Sequence, residues 1–256
     1  MEPAREEFIE VGGARIAVLA RSGRAPGAVW LGGYRSDMTG TKAAALDAWA
    51  GETGHAFLRH DYSGHGRSGG QFRDGTISRW VAESLAVFRR FAKGPQVLVG
   101  SSMGAWVALR MAAELRKARD ERVTGMVLIA PAPDFTSELV EPRLTRAQKK
   151  QLREQGFFEE KSGYSDDANV YTAALIEDGR ANLVMNAPID THCPVHILQG
   201  LADPDVPADH ALKLASHLPA DDVTVTLIPG GDHRLSRAED IDLLLRTVDA
   251  MTKRGA

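Results

Sequence analysis

The sequence predicts an α/β fold: a mostly parallel, doubly wound sheet with an antiparallel hairpin at its N-terminal edge and a small helical cap. Three observations carry that prediction. Short apolar runs alternate with longer helix-periodic stretches from residue 28 to the end. The residues before them read as two strands joined by Gly12-Gly13. One segment, 134–188, breaks the alternation and shows no clear strand.

In order along the chain, Phe8–Val11 and Ala14–Leu19 flank the Gly12-Gly13 dipeptide, which suits a two-residue hairpin turn. Six runs follow as strands: Ala28–Leu31, Ala56–Leu58, Gln96–Val99, Met126–Ile129, Val195–Leu198 and Val223–Ile228. Most are continuously apolar, as parallel strands covered on both faces must be. The last alternates, with Val223, Val225 and Leu227 on one face, and belongs near a sheet edge. Between the strands, a helix from Thr41 to Ala50 is expected to stop at Gly51. The stripe Ile77, Val81, Leu85, Phe88 ends before Gly94-Pro95. Ser236-Arg-Ala-Glu239 reads as a capping box opening the final helix, with Ile241, Leu244, Leu245 and Val248 on one face. Strands joined by helices in this way imply right-handed crossovers.

The segment 134–188 is read as a cap insertion over the C-terminal ends of the strands, within a single domain of residues 1–256. Thr145 and Gln148 form a capping box for a helix Arg146–Gln155 that Gly156 stops, and a second helix is expected over Asn169–Ile176. Phe157, Phe158, Tyr164, Val170, Tyr171, Leu175, Leu183 and Val184 are too much apolar material for a disordered linker.

Composition excludes several function classes. The net charge of −3 and pI near 6.2 argue against a nucleic-acid footprint. The one cysteine, Cys193, cannot form an internal disulfide or a Cys-rich zinc site, and reads as a buried packing residue. No apolar run is long enough to span a bilayer. The acidic start, Met1 to Glu7, lacks the basic-then-apolar order of a signal peptide, and a cytoplasmic protein is expected.

The chemistry is carried by Val97-Leu-Val-Gly100-Ser-Ser102-Met-Gly104-Ala. This is Gly-x-Ser-x-Gly directly after an apolar strand and directly before a helix, the context in which a serine is held at a strained strand-to-helix turn. The helix N-terminus beside the Ser102 hydroxyl favours developing negative charge. A serine needs a neighbouring base, and in this strand–turn–helix context the partners follow in the order acid, then histidine. Only one downstream histidine lies in a loop right after a late strand: His233, in Pro229-Gly-Gly-Asp-His233. The acid belongs at the end of the preceding strand, where Asp203 and Asp205 are both candidates. Asp203 is preferred, and Asp205 reads as a helix N-terminal charge. For an oxyanion hole, the Met103 N–H needs a second donor from the turn Gly32-Gly33-Tyr34; the Tyr34 N–H is the first choice and Gly33 the alternative. Gly64-His-Gly-Arg-Ser-Gly69 lacks nucleotide-loop spacing and reads as a tight turn tied together by Asp61. No metal or organic cofactor is implied.

Elbow, acid loop and terminal histidine, in this order over nearly the whole chain, resemble the α/β-hydrolase superfamily. Asp61-Tyr-Ser-Gly-His-Gly-Arg-Ser68 matches the turn after that fold's fourth strand, although Ser63 stands where many relatives carry arginine. Gly32-Gly33 replaces the usual His-Gly before the oxyanion loop. The strings Leu31-Gly-Gly-Tyr-Arg-Ser-Asp-Met-Thr-Gly-Thr-Lys-Ala43, Asp61-Tyr-Ser-Gly-His-Gly-Arg-Ser68, Leu98-Val-Gly-Ser-Ser-Met-Gly-Ala-Trp106 and Gly231-Asp-His-Arg resemble, further, the mitochondrial palmitoyl-protein thioesterase and acyl-glucuronide esterase branch. That resemblance implies Ser102, Asp203 and His233 as the triad, with acyl groups on protein cysteines or acyl glucuronides as the branch's substrates. A transit peptide is not recognised, so the branch's mitochondrial location is not carried over.

The expected activity is hydrolysis of carboxylic esters or thioesters through an acyl-enzyme, with an apolar acyl group on a small molecule or a protein. Arg35 beside the oxyanion loop is read as a solvated arginine or as a contact for an anionic leaving group. C–C bond hydrolysis or peptidase action on the same triad is the alternative. An inactive binding module sits poorly with three intact triad positions, and a capless perhydrolase sits poorly with the 134–188 segment. The oligomeric state is left open.

Overall fold

The computed structural model describes residues 4–161, 168–219 and 222–254; Tyr164, counted above among the cap's apolar residues, lies outside them. The predicted fold is present. Ten strands form, in chain order β1 (Arg5–Val11), β2 (Ala14–Arg21), β3 (Arg24–Leu31), β4 (His55–His60), β5 (Gln96–Ser101), β6 (Val123–Ile129), β7 (Phe157–Glu160), β8 (Asn169–Thr172), β9 (Val195–Gly200) and β10 (Val223–Ile228). Eight of them make one sheet in the order β1-β2-β4-β3-β5-β6-β9-β10, and β7 pairs with β8 alone. In the large sheet only the contacts of β2, with β1 and with β4, are antiparallel.

The hairpin turns on Gly12 and Gly13, both at positive φ (57° and 77°), a conformation that glycine adopts without a Cβ penalty. At the far edge lies β10, as its alternation implies, with Val223 and Val225 half-buried and Leu227 exposed.

The described residues form seven helices, α1 (Thr41–Thr53), α2 (Ile77–Phe91), α3 (Met103–Lys117), α4 (Arg146–Gln155), α5 (Ala173–Ala181), α6 (Ala208–His217) and α7 (Ala238–Arg254), of which α4 and α5 lie in 134–188 and the other five cover the large sheet. Helices α1 and α7 pack together on one face, where Trp49, Phe57, Leu198 and Val248 form one apolar cluster. Helices α2, α3 and α6 cover the other, around the fully buried Trp80 and Trp106.

Four local expectations need correction. Helix α1 runs past Gly51, which is buried against the Arg21 guanidinium, and ends at Gly54 with φ 77°. The Ser236–Glu239 capping box does not form. Ser236 donates instead to Arg234 O, and the buried Asp240 carboxylate accepts from the Arg237 backbone N–H and guanidinium. An ion pair available one residue further in outcompetes the hydroxyl cap.

The segment 134–188 holds two strands where none was expected, and the second helix begins at Ala173 rather than Asn169. Phe157–Glu160 is half charged and Asn169–Thr172 half polar, so neither shows the continuous apolar run that marks the core strands. Val170, Tyr171 and Thr172 extend because β7 is there to pair with them, from Phe157↔Thr172 to Glu160↔Asn169. Helix α4 has the expected bounds, with the Thr145–Gln148 capping box made and Gly156 at φ 79°. The segment is closed at its base by Asp134, whose buried carboxylate accepts from the N–H groups of Val184 and Met185 at 2.8–3.1 Å.

Candidate active site

The turn at Ser102 is built from backbone contacts. Ser102 has φ 55° and ψ −120°, between the end of β5 and the first residue of α3. A left-handed conformation at a non-glycine residue persists only where its surroundings over-determine it. Here the Ser102 N–H donates to Ile129 O at 2.9 Å, and Ser102 O accepts from Ala105 and Ala132. The flanking glycines are required by space. A Cβ on Gly104 would lie 2.0 Å from Leu31 O, and one on Gly100 2.6 Å from Gly104 O.

Two further loops meet at this turn. The Asp203 loop leaves β9 and the His233 loop leaves β10, and they cross where a Cβ on Gly200 would lie 2.3 Å from Gly231 O. Ala202 N–H donates to that same Gly231 oxygen at 2.9 Å. The crossing sets His233 between its partners: Nδ1 lies 2.8 Å from Asp203 Oδ2, and Nε2 lies 3.0 Å from Ser102 Oγ. An ionised carboxylate only accepts, so Nδ1 carries the proton and Nε2 is left to accept from the Ser102 hydroxyl.

The Asp203 side chain is fully buried. Burial acts to raise its carboxyl, but the hydrogen bond and charge of His233, with N–H donors from Val206 and Asp205, hold it below the usual carboxylate value. Asp205 stands beside the pair, and acceptor atoms of Asp203, Asp205 and His233 lie within 4.8 Å of one another. This set suits proton handling better than a cation. Asp203 and His233 already spend their facing atoms on each other, and Asp203 Oδ1 takes two backbone N–H groups.

Met103 opens α3, so its N–H has no acceptor within the helix. Facing it, the Gly32–Tyr34 turn runs so close that a Cβ on Gly33 would touch Ser101 O and Ser102 Cβ at 3.3 Å. The turn is held from below by Tyr62 OH donating to Gly32 O and by Arg35 N–H donating to His65 Nε2 at 3.2 Å. Burial pushes His65 down to about 4, which keeps that ring nitrogen an acceptor. The Arg35 guanidinium lies 4.9 Å over the Phe72 ring, at the edge of the cleft. Asp61 ties the neighbouring turn as expected, accepting from Met38 and Arg67 N–H.

Above these groups is a cleft of about 690 Å³ whose walls include Tyr34, Phe135, Leu139, Val140 and Tyr171. Four of those wall residues come from 134–188. Cys193 is buried at the opposite end of the sheet, its thiol pushed up to about 12 by burial.

Residues 18–243 match the model described as the alpha/beta hydrolase family. The chain belongs to the alpha/beta hydrolase family. It is 35% identical over 236 residues to the human palmitoyl-protein thioesterase ABHD10, mitochondrial, covering 91% of this chain and 75% of that protein. A solved Agrobacterium vitis S4 protein superposes with a TM-score of 0.95 at 57% identity, covering 98% of this chain and all of that one. Mouse alpha/beta hydrolase domain-containing protein 10 superposes with a TM-score of 0.88 at 32% identity, covering 99% of this chain and 100% of that one. The thioesterase branch read from the motifs is therefore the one its relatives belong to.

The cytoplasmic expectation does not stand, because the curated relatives from cattle, human and mouse are all named as mitochondrial. Composition and hydropathy could not have decided it. A folded domain in the cytoplasm and one in an organelle matrix face the same solvent.

Spacing alone missed several residues that shape the site. Gln199, inside β9, is fully buried and donates to Gly200 O and Val206 O at 3.0 Å, spanning the Asp203 loop from within. Lys42 reaches from α1 to donate to Arg234 O beside His233. Gln199 sits in no motif, and Lys42 lies in the Leu31–Ala43 string without a role there; each matters because distant loops meet.

Proposed function

We propose that the protein is a serine hydrolase of carboxylic esters and thioesters acting through an acyl-enzyme, with Ser102, His233 and Asp203 as its triad. The observation that supports this best is the unbroken hydrogen-bonded run Asp203–His233–Ser102, at 2.8 and 3.0 Å, opening onto the cleft that Tyr34, Phe135 and Tyr171 help to line. In this reading Ser102 Oγ attacks the acyl carbonyl while His233 Nε2 takes its proton. The N–H groups of Met103 and Tyr34 stabilise the oxyanion. The imidazolium then protonates the departing alcohol or thiol, and water attacks the acyl-serine by the same route. Asp203 fixes the tautomer and stabilises the charged ring without itself taking the proton. Residues 134–188 act as the cap that forms one wall of the acyl site. The relatives named palmitoyl-protein thioesterase favour an acylated thiol as substrate.

The test is labelling with a fluorophosphonate, followed by rates on matched oxygen esters and thioesters of several acyl lengths. One adduct on Ser102, absent in Ser102→Ala, together with rates well above that variant's blank, is expected. Blank-level rates across the series would reject acyl hydrolysis.

A further inference from the structure

Tyr34 has two faces with separate duties. Its backbone belongs to the turn that passes beside Ser102, while its side chain points away from that turn into the cap. The phenol OH donates to Val170 O in β8, 136 residues along the chain. The ring stacks on Tyr171 of the same strand, with centroids 5.6 Å apart and planes 5° from parallel, and it lies 5.8 Å from Phe135. The next residue, Arg35, holds φ 58° and hands its N–H to the buried His65. The turn is therefore clamped between a rigid floor and a hairpin only four residues long on each strand.

Those contacts join the hairpin directly to the oxyanion turn. Tyr34 and Tyr171 both line the cleft, so any acyl group deep enough to press on β8 also loads the Tyr34 ring. The phenol bonded to β8 and the turn that passes Ser102 are thus joined through the single Cα of Tyr34. We propose that the Tyr34 side chain is a positioning link through which the β7–β8 hairpin sets the oxyanion turn, so that hairpin contact by the acyl chain is read out in kcat. The inference rests on the proposed triad and oxyanion hole. Tyr34 acts here through its own backbone: the side chain positions, and the N–H touches the reacting oxygen.

The experiment compares wild type with Tyr34→Phe, which keeps the ring and the peptide N–H and removes only the bond to Val170 O. An acetyl and a long-chain acyl ester are the substrates, and fluorophosphonate labelling of Ser102 is followed in parallel. With the long acyl chain, kcat is expected to fall about tenfold at little changed KM, the order of loss that a small misplacement of catalytic groups brings. The acetyl ester, too short to reach β8, is expected to lose less. Tyr171→Leu, which removes the stack but leaves the phenol bond, is expected to fall between the two and serves as the test if Tyr34→Phe does not fold. Equal kcat in variant and wild type, or a change confined to KM, would overturn the link and leave Tyr34 a wall residue. Failure of the wild type to label at Ser102 would instead overturn the triad reading, so the two failures are distinguishable.

Discussion

The serine turn and the β7–β8 hairpin face each other across one cleft, yet they are held by different forces. The turn is fixed by peptide groups pressed so close that no Cβ fits at Gly100 or Gly104. The hairpin is held by side chains: the Tyr34 phenol, the Tyr34–Tyr171 stack, and an exposed Arg73–Glu159 ion pair. Backbone packing leaves no soft coordinate, so it suits a nucleophile that must stay within a fraction of an ångström of its base. Side-chain contacts can slide and re-form, which suits a wall that meets acyl chains of different length.

The largest expected effects fall on the rigid side. Ser102→Ala is expected to lower kcat by about 10⁴-fold or more with the melting temperature nearly unchanged, and Asp203→Asn by about 10⁴-fold. Asp205→Asn is expected to retain most of the activity; loss there with Asp203→Asn still active would move the acid to Asp205. Steady-state kinetics on one ester decides it.

Glycine substitutions sharpen the contrast in stability. Gly104→Ala drives a methyl into Leu31 O and is expected to cost about 3 kcal/mol or more. Gly156→Ala, at φ 79° with open space around it, is expected to cost only about 1–2 kcal/mol, the left-handed penalty alone. Urea melts of the two variants measure the difference. Similar losses at both sites would mean that the serine turn can relax after all.

Acid should loosen the floor of the site. Burial pushes His60 and His65 from 6.5 down to about 4. The unfolded chain therefore takes up protons near pH 6.5 that the folded protein refuses until about pH 4. Their contribution is fully present above that upper value and is lost as pH falls through the window. The melting temperature is expected to drop steadily between pH 7 and 4.5, and a flat profile would contradict two buried neutral imidazoles.

On the other side, at the base of 134–188, Asp134→Ala strips the Val184 and Met185 N–H groups of their acceptor and is expected to cost about 1–3 kcal/mol. KM for long acyl esters should rise more than kcat falls, because the nucleophile itself is untouched. A kcat loss as large as that of Asp203→Asn would erase the distinction between the two regions.

The same division marks what could be read in advance. All six core strands and the hairpin were legible, because most are continuous apolar runs set between helix-periodic stretches and the hairpin turns on Gly12-Gly13. The residues of the proposed triad and oxyanion hole were legible because a strand–turn–helix with small flanks leaves few alternatives for a nucleophile. The one downstream histidine in a loop right after a late strand, and the acid loop before it, then supply its proposed partners. The β7–β8 hairpin was not legible, since Phe157–Glu160 is half charged, Asn169–Thr172 is half polar, and the latter extends only because the former is beside it. The final helix cap was missed for a related reason: Asp240 competes with Ser236 through a guanidinium that a capping template does not consider.

By itself, then, the sequence determined the sheet and its helical covers and singled out the residues of the proposed triad, all of which rest on local pattern and spacing. Tertiary structure decided how the Asp203 and His233 loops cross at Gly200 and Gly231, how Gln199 and Lys42 brace them, and how Tyr34 reaches the cap. Those contacts join residues as far as 192 positions apart. No local pattern encodes such a meeting; it exists only once the sheet has brought the ends of its strands together.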